Sequence, residues 1–460
     1  MFEVHEVLKA TGGRLLAAGP ETFSGISTDS RTIKEGELFV PLVGDKFDGH
    51  DFIAQVFEKG ASGALVAAGR AVPAPGGKAV IEVKDTLRAL QDIAHHLRTA
   101  RPGLKVVGVT GTNGKTTTKE MLASILAVRG PVLKNEGNLN NGIGVPLTLL
   151  RLKDEHWAAV IEMGMNSFGE IQRLAEIAAP QVGVVTNIGP GHLENLGSLE
   201  GVAKAKGELV AALPEGGTAV LNADDPYLRD GNVAARCGTV MFGLGKGADL
   251  SAAEVEETPA GVVFSLVTRG GAVRVKLPVL GFHNVYDALA AASAASALGL
   301  SLPEIKEGLE GFRPAKMRME VVDIDGAKVI NDAYNANPSS MAAALNALAG
   351  IKDARRIAVL GDMKELGESA EKAHYDVGRL AGAGGLACLI LVGEQARHMA
   401  YGAAEAGMDE KKIIQASSPE DAGAKLAERL SPGDCVLVKG SRSMKMERVV
   451  EFLKSRKLVA

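Results

Sequence analysis

The chain has 460 residues, which at roughly 150 per domain predicts about three domains. Hydrophobic residues at 46% and charged residues at 23% match the globular balance and exclude a disordered chain. A net charge of −4 and only 4% aromatics leave neither a basic field for a nucleic-acid backbone nor a platform for stacking bases.

The N-terminus, MFEVHEVLKATGGRLL, mixes acids with apolar residues and lacks the apolar stretch of a secretory signal. Residues 1–82 read as a short mixed region. ELFVPLVG (37–44) predicts a strand and FIAQVFEKGA (52–61) a helix, and Pro73, Pro75, Gly76 and Gly77 then break the chain. From about 79 to 312, buried-type strands alternate with amphipathic helices. KVVGVT, AAVIEM, VGVVTN and TAVLN are the strands. TTKEMLASILAVR is a helix with Met121, Leu122, Ile125 and Leu126 on one face, ended by Gly130 and Pro131. This pattern predicts a doubly wound parallel sheet. Between about 250 and 280 the period changes. Val262, Phe264 and Leu266, then Val273, Val275 and Leu277, predict two antiparallel strands around RGG. An Ala-rich helix over 284–298 follows, stopped by Gly299. After GFRP (311–314) a second βα alternation begins, with KVIND, RIAVLGD, LACLILVG and CVLVKG as strands.

The longest apolar run, 386–392, is too short to span a bilayer. Cys237, Cys388 and Cys435 form no CxxC pair, and an odd count suits reduced thiols in a cytoplasmic protein. Glycine supplies 56 of 460 residues with no collagen period, so the excess belongs in turns and phosphate loops.

The strongest motif is VVGVTGTNGKTTTKEML. A buried strand runs into Gly111, Thr112, Asn113, Gly114, Lys115, Thr116 and Thr117, and a helix follows. Glycines let backbone N–H groups converge on a phosphate, and the helix start adds positive charge. Lys115 can reach the β- and γ-phosphates, and Thr116 can ligate Mg²⁺. The loop departs from the general P-loop pattern, which places glycine where this chain has Val109. The motif points to a nucleoside triphosphate without choosing between kinase, ligase and motor. Glu162 ends a strand, where a carboxylate can serve as a Mg²⁺ ligand or stand as an exposed strand end. His192 follows another strand, as a site residue or a structural loop histidine. Lys206, in GVAKAKGELV, reads by itself as a solvated helix lysine.

GTNGKTTT, EMGMNSFGEI, TNIGPGHLENLGSLEGVAKAKGE, LNADD, GFHNVYDALAA, DAYNANPSSM and KGSRSMKMERVV occur in the order found in the Mur ligases, a family this chain resembles from Ser27 to Val450. STDSRTIKEGELFVPLVGDKFDGHDF, DAYNANPSSM and GDMKELG resemble the branch that joins D-alanyl-D-alanine to a UDP-N-acetylmuramoyl-tripeptide. The resemblance implies a three-domain α/β chain. A small mixed α/β domain over 1–82 would bind the UDP-substrate. A central P-loop-type doubly wound parallel sheet over 83–313 would bind ATP, and a Rossmann-like domain over 314–460 the incoming amino acid or dipeptide.

It further implies that ATP and Mg²⁺ serve as cofactors and that the chain acts as a monomer. Lys115 would grip the phosphates, Thr116 and Glu162 would hold one Mg²⁺, and His192 would belong to a second Mg²⁺ site. Lys206 resembles the family's carbamylated lysine. His283 and Asn284 would sit near the adenine, and Asp287 stands where the family usually has Asn. Arg318 resembles the arginine that reaches the phosphates across a domain boundary. Asp332, Tyr334, Asn335 and Asn337 resemble the C-terminal nucleotide contacts, with Asn331 in place of a first acid. Ser27, Asp29, Ser30 and Arg31, with Asp48, Gly49 and His50, resemble the uridine-nucleotide pocket, although S-x-D-S-R also suits a capped turn. Asn138, Asn140 and Asn141 would face the glycan or peptide, or form an asparagine-glycine turn. Lys439, Ser441 and Arg442 would bind the dipeptide carboxylate, or cap a helix. Rival readings are a Mur-type ligase adding a single amino acid, a folylpolyglutamate-type ligase, and a nucleotide-binding protein without catalysis. The late D-N-P-R motif of the diaminopimelate- or lysine-adding branch is absent.

Overall fold

The computed structural model describes residues 1–71, 75–231, 233, 235–258 and 260–456; Pro73 lies outside the described residues. Three larger sheets follow one another along the chain. The first has the spatial order Arg14–Ala17, Ala79–Val83, Gly63–Ala67, Leu38–Phe39, Ile26–Ser27. Its first pair is antiparallel and the rest parallel. Ala79–Val83 thus belongs to this sheet rather than opening the alternation that follows. The strand expected over 37–44 shrinks to Leu38–Phe39, because Pro41 has no N–H to continue the ladder. The helix expected over 52–61 is a 3₁₀ turn, Gly49–Phe52, leading into the helix Ile53–Glu58. Asp48 starts it by accepting from the His50 N–H at 2.9 Å.

The central sheet has nine strands, in the order Gly271–Leu277, Gly261–Thr268, Leu250–Thr258, Gly238–Gly243, Thr218–Asn222, Val182–Val185, Lys105–Thr110, Ala158–Glu162, Val132–Lys134. All pairings from Leu250–Thr258 to Val132–Lys134 are parallel. The expected pair around RGG forms, with Thr268 opposite Gly271. It gains a third antiparallel strand, Leu250–Thr258, whose register shifts between Ala253 and Glu256. That strand carries four glutamate or threonine side chains toward its end, so its polarity hid it from the period-2 reading. The helix Lys115–Leu126 ends three residues before the expected Arg129. The helix His283–Ala297 is buried along most of its length, and its alanines let it lie close against Lys115–Leu126. Gly299 follows it at φ +82.

The third sheet runs Glu320–Ile324, Ala327–Asp332, Cys435–Lys439, Arg356–Gly361, Cys388–Val392, Ile413–Ala416. Only the first pair is antiparallel. Its four inner strands are the four expected ones. The two edge strands are half-exposed and carry too few apolar residues to register as buried runs. One apolar cluster joins Val109, Leu122 and Leu289 of the central region to Met341, Leu348 and Leu360 of the last. Among the described residues no helix is long and apolar enough to cross a membrane. Cys237, Cys388 and Cys435 are free thiols.

Candidate functional site

The chain order of the central sheet reverses at Lys105–Thr110, which lies between Ala158–Glu162 and Val182–Val185. Ligands of open α/β sheets bind outside the carboxyl ends of strands at such a switch point. All three strands deliver chemistry there. The first opens into the phosphate loop, the second ends on Glu162, and the third leads to His192.

The loop is held by Thr186 and Asn187 of the third strand's end. The Thr112 N–H donates to the Asn187 carbonyl at 3.0 Å, and the Asn113 N–H to Asn187 Oδ1 at 2.9 Å. Thr186 Oγ1 donates to the Asn113 carbonyl at 2.6 Å. Gly111 has φ +147 and Gly114 has φ +80. A Cβ on Gly111 would overlap Thr186 Oγ1, and one on Gly114 would overlap Asp287 Oδ1. Both glycines are therefore required by conformation and by space. Thr117 continues the helix that begins at Lys115. Thr186 and Asn187 were visible only as the end of VGVVTN; polar residues closing a buried parallel strand were the available signal.

Thr116 Oγ1 donates to Glu162 Oε2 at 2.8 Å, and Asn140 Nδ2 to Glu162 Oε1 at 2.9 Å. Asn135 brackets the same residue's backbone, accepting its N–H and donating to its carbonyl, both at 2.9 Å. Lys119, 1% exposed, places Nζ 3.6 Å from Glu162 Oε2. Sequence reading missed Asn135 and Lys119. A lysine on the apolar side of the loop helix was the clue to the second. Burial pushes the Glu162 carboxyl up, but Lys119, Lys115 and Arg318 together hold it below the usual carboxylate range.

Lys115 Nζ donates to the carbonyls of Gly111 at 2.7 Å and Thr112 at 3.0 Å. Burial lowers its pKa; Glu162 opposes the shift and Arg318 adds to it. Lys206 is not a solvated helix lysine. It is 3% exposed, and its Nζ donates to the Gly111 carbonyl at 2.9 Å. Burial, then Lys115, drives its pKa well below the ordinary lysine value. His192 occupies the left-handed region at φ +56. Burial, then Lys206 and Lys115, lowers its pKa and keeps the ring neutral.

The C-terminal domain reaches this loop directly. Asn337 caps the helix Pro338–Gly350 and donates from Nδ2 to Asn113 Oδ1 at 2.7 Å. The Arg318 guanidinium lies 4.0 Å from the centroid of the Tyr334 ring. Its charge registers on Lys115, Glu162 and Asp287. Lys115, Lys119 and Arg318 thus place positive charge around the loop, a field suited to a polyphosphate. Lys439 is buried and pairs with Asp332 Oδ2 at 2.6 Å, and also donates to the Asn335 carbonyl. Burial pushes His283 down to about 4, with Asp332 raising and Lys439 lowering it, so these three belong to one neighbourhood. Asn284 Nδ2 donates to the Leu280 carbonyl at 2.7 Å. Ser441 Oγ accepts the Lys364 N–H at 2.8 Å, and Arg442 pairs with Glu447 at 2.8 Å.

The remaining candidates are locally engaged. Asn141 Oδ1 accepts the Ile143 N–H at 3.1 Å and the Gly144 N–H at 2.9 Å, and Asn138 is exposed. Arg31 grips Asp29 through Nε at 2.9 Å and a terminal nitrogen at 2.7 Å, which with the Arg31 N–H holds that carboxyl at about 2. Ser27 Oγ accepts the Asp29 N–H at 3.2 Å, and the Ser30 carbonyl accepts Lys59 Nζ at 2.8 Å. His50 Nδ1 pairs with Asp48 Oδ1 at 2.7 Å, and Nε2 accepts the Ala67 N–H at 3.0 Å. Gly49 packs on the Leu42 backbone. Ser27 and Ala67 end parallel strands of one sheet, so both groups sit on its carboxyl-end edge.

Asp287 is 6% exposed and accepts from Thr118 Oγ1 at 3.3 Å. Burial outweighs Thr118 and Arg318 and pushes its carboxyl up to about 7. A raised carboxyl costs nothing below the unfolded value of roughly 3.9, and the cost grows with pH until about 7. Asp287→Asn should therefore stabilise more at pH 8 than at pH 5, by about 2–3 kcal/mol in the difference. Urea unfolding of parent and variant at both pH values checks this; an equal effect at both would contradict it.

The comparisons with known proteins agree with this geometry. The Mur ligase family catalytic-domain model matches residues 22–98, the Mur ligase middle domain 109–295, and the Mur ligase glutamate ligase domain 317–442. The UDP-N-acetylmuramoyl-tripeptide–D-alanyl-D-alanine ligase of Bacillus subtilis is 38% identical over 93% of this chain and 93% of its own length. A crystal structure of MurF from Acinetobacter baumannii matches with TM-score 0.90 and 36% identity, covering 98% of this chain and 99% of that one. MurF ligase from Thermotoga maritima in complex with ADP matches with TM-score 0.84 and 30% identity, covering 95% and 98%. With a full-length relative at that identity and a phosphate loop, carboxylate and buried lysine meeting at one switch point, the chain belongs to the Mur ligase family.

Proposed function

We infer that this chain is an ATP-dependent carbon–nitrogen ligase that joins D-alanyl-D-alanine to UDP-N-acetylmuramoyl-tripeptide. The products are the UDP-N-acetylmuramoyl-pentapeptide precursor of peptidoglycan, ADP and phosphate. The observation that carries the reading is the meeting of Lys115, Thr116, Glu162, Lys206 and Arg318 at one loop, in a chain 38% identical to a ligase of that name. The tripeptide carboxylate attacks the γ-phosphorus and ADP departs, leaving an acyl phosphate. The amine then forms the new C–N bond while the C–O bond to phosphate breaks. Lys115 and Arg318 neutralise charge on the transferring group, and the glycine loop orients it.

The donor set suits Mg²⁺. Thr116 Oγ1 and Glu162 Oε2 are neighbouring oxygens that would hold the ion, and Mg²⁺ typically takes one or two carboxylates with substrate phosphates. Among the described residues no trio of acids, histidines or cysteines forms a closed cage. When bound, the ion would offset phosphate charge. His192 and Lys206 would hold a second ion only with Lys206 converted to a carbamate, because an ammonium cannot ligate a cation. Burial shifts this lysine toward the neutral amine, the form that takes up CO₂.

We place the domain borders at 82/83 and 313/314; the second and third sheets each fall within one domain, and the first sheet runs one residue past its border, to Val83. The UDP end would bind the carboxyl edge of the first sheet, near Ser27, Asp29, Ser30, Arg31, Asp48, Gly49 and His50. Lys439, committed to Asp332, fits the nucleotide side better than the dipeptide carboxylate. The chain would act in the cytoplasm, as a monomer. ADP release, followed by coupled assay, should require both the UDP-tripeptide and D-alanyl-D-alanine. Release with neither, or with a single amino acid in place of the dipeptide, would overturn the reading.

A further inference from the structure

The incoming amine arrives as an ammonium at neutral pH, since an α-amino group titrates near roughly 8. It must approach the acyl phosphate from the side the nucleotide does not occupy. A cavity opens between the central and C-terminal domains. Asn166, His192, Glu194 and Asn195 line it from the central domain, and Glu365 lines it from the C-terminal domain. The loop bearing His192 is tied to the phosphate loop through Thr112 Oγ1, which donates to the Gly189 carbonyl at 3.2 Å and accepts the Gly189 N–H at 2.9 Å. The cavity therefore borders the reacting centre.

Glu365 leaves the carboxyl end of the strand Arg356–Gly361. It holds φ +64, a left-handed conformation that a glutamate rarely adopts. The turn around it is fixed. Asp362 is fully buried and accepts the backbone N–H groups of Glu394 at 3.0 Å and Gln395 at 3.1 Å. The Lys364 N–H is held by Ser441. The cations nearby are already engaged, Lys364 with Asp362 at 3.1 Å and Lys439 with Asp332. Among the described residues Glu365 has no ion-pair partner, and its charge reaches His192 across the cavity. Glu194 lines the same cavity from the short surface helix Leu193–Leu196 and does not register on His192.

We propose that Glu365 binds the ammonium of the incoming dipeptide and presents its nitrogen to the acyl carbon opposite the His192 loop. The inference rests on the ligase reading above. It explains why a carboxylate is carried on the domain that closes over a site otherwise crowded with cations. A phosphate-binding residue here would be basic; an amine-binding one is acidic.

The test uses the full chain with Glu365→Gln and Glu365→Asp. Glu365→Gln should raise KM for D-alanyl-D-alanine about tenfold or more, the scale of losing one hydrogen bond to a charged group. KM for ATP and for the UDP-tripeptide should stay at the parent values. Acyl-phosphate formation without dipeptide, read as hydroxamate after hydroxylamine trapping, should be unchanged. Glu365→Asp should recover part of the loss. A dipeptide KM within twofold of the parent in Glu365→Gln overturns the proposal, as does a parallel rise in all three KM values. If the parent itself fails to turn over with both substrates, the ligase reading falls and this inference with it. Failure confined to the variants leaves that reading standing.

Discussion

Lys115→Ala is expected to lower kcat by about a thousandfold or more, the scale for removing a preorganised charge from a buried transition state. The ammonium sits over the loop, bonded to the carbonyls of Gly111 and Thr112. Nothing else on the loop can take its place. Lys119 is turned to Glu162, Glu120 and the Asn135 carbonyl, and Lys206, which shares the Gly111 carbonyl with Lys115, is shifted toward its uncharged form by burial. The loss should appear in the first chemical step, so hydroxamate trapping of the acyl phosphate should fall with turnover. Circular dichroism should remain native, because the side chain's removal leaves the loop's bonds to Thr186 and Asn187 intact. A kcat near that of the parent would remove the loop from the mechanism.

Lys206→Ala should cost about a hundredfold or more, for a different reason. Among the described residues the buried lysine has no ion-pair partner, and its one hydrogen bond is to the Gly111 carbonyl. Packing alone does not call for an amine there, since a methionine would fill the space at less cost. If the working form is a carbamate, the alanine variant should regain activity in the presence of a small carboxylate such as formate. An unimpaired Lys206→Ala enzyme would sink the assignment. Impairment without rescue would leave the lysine important but the carbamate unsupported.

Sequence reading reached the fold where chemistry and burial coincide. KVVGVT, AAVIEM, VGVVTN and CVLVKG are strands buried on both faces, and such runs are hard to mistake. The edge strands Glu320–Ile324 and Ile413–Ala416 were silent because half their residues meet water. At the site, Gly111, Lys115 and Thr116 were legible from local order alone. Lys206 was not. Its chemistry comes from the Gly111 carbonyl, 95 residues away in the chain, and from a burial that no local pattern signals. Asn135 was silent for the same reason, since its side chain serves the backbone of Glu162 rather than a ligand. Asp287 drew notice only as a departure from the family's usual asparagine. The structure explains what that departure entails, a carboxyl pushed up to about 7 by burial against the start of the loop helix.

The shared apolar cluster bears on any attempt to take the molecule apart. Met341, Leu345 and Leu348 of the helix Pro338–Gly350 belong to the same core as Leu122 and Leu289. A fragment holding only residues 314–460 would carry that face into water and be prone to self-association. Exchanging C-terminal domains between relatives to alter the accepted amine would meet the same obstacle. The graft would have to bring a matching seat on the helix His283–Ala297 and its surroundings, so specificity in this architecture is inherited with the joint as well as with the pocket.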